Sequence, residues 1–187
     1  MLWISTIEPS PYRIEGFDLE PLRFGHCLLM ERFDEGKPEN EVPKPVDLWR
    51  WLNICSRSHK GARQWLTKDL GKPFSLSRWS FIRTMKNQDR FLAALGNWSD
   101  YMHENTATPQ TLNPVSSGET QSGVPRLQWL WNTAITQLNY NPLELCEAQF
   151  GQLVWSVLAM SEQNGSVRII DDKLEKVFDD LKCQSSV

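Results

Sequence analysis

Residues 126–160 read RLQWLWNTAITQLNYNPLELCEAQFGQLVWSVLAM, and their apolar positions recur at helical spacing. Leu127, Leu130, Trp131, Ala134 and Leu138 form one stripe, which predicts a helix over 126–139. Leu143, Cys146, Phe150, Leu153, Val154 and Val157 form another, with Pro142 suited to a first turn, which predicts a helix over 142–160. The same period predicts helices from Pro21 and over 46–57, 59–70, 77–103 and 171–183. The 46–57 segment, with Trp49, Leu52 and Cys55, is apolar around most of its circumference and belongs at the centre. Within 77–103 the period slips near Asn87–Asp89, so either a kink or two helices is expected. The expected fold is mainly α: one helical domain over 1–187, with about six or seven helices and at most a minor β element.

Two stretches break this pattern. Residues 1–21 hold Pro9, Pro11 and Pro21 and read as an extended N-terminal arm with one short strand near Tyr12–Phe17. Residues 105–125 (NTATPQTLNPVSSGETQSGVP) carry one charge and no large aromatic. Such a segment buries too little to offset its ordering entropy, so a flexible linker between two helical halves is expected. After Asn164-Gly165, a turn signal, SVRII reads as a short strand.

Nine tryptophans are the most informative part of the composition: Trp3, Trp49, Trp51, Trp65, Trp79, Trp98, Trp129, Trp131 and Trp155. Tryptophan fills cores and anchors interfaces. No GxxxxGK[ST], GxGxxG, GxSxG or HExxH accompanies them. The chain therefore leans toward binding or assembly, with no enzyme activity, no catalytic residue, no cofactor and no metal expected. Cys55 and His59 are four apart, a spacing that lets two helical ligands share a metal, with His26 and Cys27 as the only nearby candidates to complete it. A buried thiol beside a histidine at a helix end is the plainer account. Cys27, Cys55, Cys146 and Cys183 lie too far apart for a disulfide framework and suit a reducing, cytoplasmic compartment. The first residues lack the pattern of a signal peptide, and no apolar run approaches a membrane span.

Charge is segregated. Residues 1–43 hold 4 basic and 9 acidic side chains, residues 44–90 hold 11 and 3, and residues 91–187 hold 5 and 11. The basic block interleaves cations with Trp49, Trp51, Trp65 and Trp79, as a nucleic-acid surface would, with Arg57, Lys60, Arg63 and Lys68 the candidate phosphate contacts. The competing account is a surface met by the protein's own acidic ends or by an acidic partner. Trp129 and Trp131, two apart on a helix, point about 200° from each other. One can be core while the other marks a partner site, unless the helix is buried all round. Trp98, Tyr101, Trp129 and Trp131 are the candidate partner anchors.

The stretch YRIEGFDLEPLRFGHCLLMERF, through Gly16, Leu19, Pro21, Leu22, His26, Leu28 and Leu29, resembles the start of phage and prophage tail assembly chaperones. LNICSR at Leu52–Arg57 resembles the second helix of such proteins, and the Asn-Pro-Leu helix opening that leads through Trp155 to MSEQNGSVRII resembles their final half. The resemblance covers about half of the chain in patches, and the linker 105–125 has no counterpart in it. It implies a non-catalytic protein of the host bacterial cytoplasm. Such a protein coats the tape measure protein and keeps it soluble until tail tube protein polymerises around it, with self-association possible. The competing class is a structural tail or neck component of the virion, for which longer strands would be expected.

Overall fold

The computed structural model describes residues 11–34, 41–69, 75–108, 111–112, 126–165 and 168–169. Among them are eight helices and two short antiparallel strand pairs, so the chain is mainly α as its periodicity predicts. The far end of the N-terminal arm and the expected helix over 171–183 lie outside the described residues.

The arm's described part is a hairpin, not a single strand. Strand β1 (Tyr12–Ile14) pairs with β2 (Phe17–Leu19) in the register Tyr12↔Leu19 and Ile14↔Phe17. Glu15 and Gly16 both take positive φ, 50° and 85°, the two-residue turn whose twist matches the strands.

Helix α1 (Phe24–Asp34) starts three residues after Pro21. Leu22 and Arg23 stay out of the helix because the backbone here pairs with another part of the chain. Phe24 N donates to Ala148 O at 2.9 Å and Phe150 N donates to Leu22 O at 2.8 Å, around a bridge between Arg23 and Gln149. The same pairing corrects the expected helix over 142–160, which is two helices. Helix α7 (Pro142–Glu147) ends where Ala148 and Gln149 turn extended, and α8 (Phe150–Gln163) begins beyond them. Hydrogen bonds that a continuous helix would have made are exchanged for bonds to residues 22–24.

Helix α2 (Pro45–Cys55) is central. Leu48, Leu52, Ile54 and Cys55 are fully buried, and α1, β2, α3 (His59–Asp69) and α4 (Leu76–Thr84) pack around it. The slip near Asn87 resolves into two helices, α4 and α5 (Gln88–Thr106), with the Asn87 side chain capping α5 by accepting from Arg90 N at 3.0 Å. Helix α6 (Arg126–Gln137) packs against α7 and α8. The expected linker 105–125 is shorter than predicted at its start, since α5 runs to Thr106. It also contains β3 (Thr111–Leu112), paired with β4 (Arg168–Ile169), the strand expected in SVRII. Residues 109–110 and 113–125 of it lie outside the described residues.

Candidate partner-binding surfaces

A polar cluster lies where α1, α2, α3 and α7 meet, and its hydrogen bonds tie these elements together. Arg23 binds Glu20 Oε2 through Nε at 3.2 Å and Nη2 at 2.9 Å, and reaches Glu147 Oε2 through Nη1 at 3.1 Å. Glu147 Oε1 accepts from Lys60 N at 3.1 Å, satisfying a free amide at the start of α3. His26 is fully buried. Its Nδ1 accepts from Arg23 N at 3.3 Å while Nε2 lies 2.8 Å from Arg57 O, which fixes the proton on Nε2. Burial holds its pKa down at about 4, so it stays neutral. A neutral imidazole with both nitrogens occupied is a crosslink between helices.

Two thiols are held protonated: burial pushes Cys27 up to about 12 and Cys55 higher still. Among the described residues no group of three or more His, Cys, Asp or Glu could hold a metal ion. No described helix is long and apolar enough to cross a membrane.

The four candidate anchors separate. Trp98 (8% exposed) and Tyr101 (1%) are core residues, which corrects their placement as surface anchors. Trp98 stacks on Trp51 with centroids 5.6 Å apart and lies 5.3 Å from Tyr101. The Tyr101 hydroxyl donates to Glu20 O at 2.8 Å. They are covered because the hairpin folds back over α5, with Tyr12 edge-on to Tyr101 at 5.5 Å and its hydroxyl donating to Glu104. Trp131 turns inward and lies 6.1 Å from Phe24. Trp129, on the other side of α6, is 41% exposed.

Several cations of the basic block are engaged within the fold. Lys44 pairs with Glu41, Arg50 with Asp47, and Arg90 with Glu15 across the hairpin turn. Arg57, a candidate phosphate contact, is drawn into the fold instead. Its guanidinium donates to Asn53 O and Ser56 Oγ at the end of α2 and lies 5.4 Å over the Trp65 ring. Lys60, Arg63 and Lys68 do share the outer face of α3, opposite buried Ala62 and Trp65, and none makes an ion pair among the described residues.

One surface was missed from sequence. None of the nine residues of α4 is buried, and its Leu76 (72% exposed) and Trp79 (50%) face outward. Its apolar residues lie all round the helix, so no stripe announced which of them would be left in water. Compared with family models, curated proteins and solved structures, the chain matches none.

Proposed function

We propose that this protein is a non-catalytic assembly factor of the phage tail chaperone kind, which holds a helical, aggregation-prone tape measure protein in solution in the host cytoplasm. One observation carries the reading: Trp129 stands out of α6 while its neighbour Trp131 is spent on Phe24. A large exposed aromatic on a rigid helix is an interface anchor, and apolar helix faces can be sheltered without reading their exact sequence. The polar cluster around Arg23 and Glu147 favours the same view, since its groups are spent on internal bonds.

The test is co-expression with the tape measure protein of the same genome, scoring the soluble fraction of that partner. Trp129→Ala, with an unchanged circular dichroism spectrum, is expected to lower capture by tenfold or more, given that hot-spot tryptophans are worth ~2 kcal/mol or more. Full capture by the folded variant refutes the reading. A helical nucleic-acid binder is the second reading, favoured by the exposed face of Lys60, Arg63 and Lys68. A gel shift abolished by Arg63→Ala and Lys68→Ala, with tape measure capture absent, would put it first.

A further inference from the structure

We infer that the outward face of α4 is a second docking ridge, fitted to an amphipathic partner helix whose apolar face is flanked by carboxylates. The inference rests on the helix-binding reading above but uses a different surface from Trp129.

Leu76, Trp79, Ser80 and Arg83 are all exposed and fall at i, i+3, i+4 and i+7, the spacing of a single helical face. Isolated exposed apolar residues need no explanation, but Leu and Trp one turn apart make a continuous strip. A nine-residue helix is marginal in water by itself, so α4 owes its order to its other side. There Phe81 meets Phe17 edge-on at 6.1 Å, Met85 is buried just past the helix end, and the whole element packs on α2. At its start the Ser75 hydroxyl caps the Arg78 amide. The strip is therefore held rigid before any partner arrives, which lowers the ordering cost of binding.

Charge selects the occupant. Residues 76–90 carry four basic side chains and one acidic one. Arg90 is spent on Glu15, but Arg83 on the strip and Lys86 just past the helix end remain exposed. The Arg83 guanidinium lies 5.2 Å from the Trp79 centroid, covering one face of the ring and keeping its charge at the edge of the apolar surface. A carboxylate on a partner helix packed against Trp79 would meet that guanidinium, whereas a lysine there would be repelled. On the ring face that Arg83 covers, a nucleic-acid base could stack only by displacing the guanidinium.

The experiment uses the full chain and two labelled synthetic peptides of about 20 residues, long enough to be helical. Both carry the same leucine face, flanked in one by glutamates and in the other by lysines, and binding is read by fluorescence anisotropy. The glutamate peptide is expected to bind about tenfold tighter than the lysine peptide, a preference that shrinks with added salt. Trp79→Ala and Leu76→Ser should each weaken it about tenfold, and Arg83→Glu should reverse the preference between peptides. Equal binding of the two peptides overturns the inference, as does unchanged binding by folded Trp79→Ala and Leu76→Ser. So does self-association of the free protein that Trp79→Ala abolishes, which would assign the strip to a second copy. Displacement of the peptide by single-stranded oligonucleotide would assign the strip to nucleic acid. If the peptide binds at α4 while tape measure capture fails, the ridge stands and the chaperone reading falls.

Discussion

Arg23 and Glu147, 124 residues apart, meet twice: Arg23 Nη1 lies 3.1 Å from Glu147 Oε2 and 3.0 Å from the Glu147 carbonyl oxygen. Each side chain is about one-third exposed, so the ion pair itself contributes modestly. The larger share comes from what Glu147 does with its other oxygen at the start of α3. Glu147→Ala is expected to destabilise by about 1–2 kcal/mol in urea unfolding, because it removes a helix cap and one of the two acceptors of Arg23 Nη1. Glu147→Gln keeps an acceptor and should cost about half as much. Two unchanged midpoints would remove this role.

Two glycines in helices should respond oppositely to one methyl group. A Cβ on Gly25 would run into the His59 ring and come within 2.6 Å of the Cys146 carbonyl oxygen, and that backbone oxygen cannot move aside. Gly25→Ala should therefore destabilise by about 1–3 kcal/mol or more. A Cβ on Gly96, within α5, meets nothing within 4 Å, so Gly96→Ala should stabilise by about 0.5–1 kcal/mol. Thermal midpoints moving in the same direction would contradict the packing at Gly25.

The pH dependence follows from His26. Its folded pKa is lowered to about 4, against an ordinary value near 6.5, so the unfolded chain takes up a proton that the native chain refuses. The neutral crosslink's full contribution is present above about pH 6.5 and is lost as the pH falls toward 4, up to about 3 kcal/mol. His59 is shifted the same way by its partial burial. Urea midpoints between pH 7 and 4 should fall steeply for the wild type and less steeply for His26→Gln, which is weaker throughout. Parallel curves would show that His26 does not carry the acid sensitivity.

Core and surface aromatics should separate in one pair of variants. Tyr101→Phe leaves the partly buried Glu20 carbonyl without the Tyr101 donor and should cost about 1 kcal/mol. Trp129→Ala should cost less than about 1 kcal/mol while acting on partner capture. A large stability loss at Trp129 would mean that it is a packing residue.

Much of the helical framework was legible because local periodicity and burial agree. Helix α2 is apolar nearly all round and sits at the centre, and α6 points Leu130 and Ala134 inward as its stripe requires. The break at Ala148–Gln149 was not legible, because the apolar stripe runs straight through it and the cause, residues 22–24, lies far away in the chain. The hairpin was half legible, since Gly16 suits its turn while Glu15 is not a residue that usually announces positive φ. At the surface, sequence marked Trp129 as one of two alternatives but put Trp98 and Tyr101 outside. Which aromatics stay in water depends on the hairpin crossing α5, a tertiary event that α5's own residues do not encode.

The backbone bridge between Arg23 and Gln149 also sets an order of events during synthesis. With 124 residues separating Arg23 from Glu147 and translation at ~5–20 residues per second, the N-terminal segment waits roughly 6–25 s for its pairing strand to be made. Through that interval Leu22 and Phe24, both fully buried in the finished molecule, have no α7–α8 junction to close over them. A chain stopped before residue 142 never acquires that cover, and so presents proteases and holdases with an unfinished core.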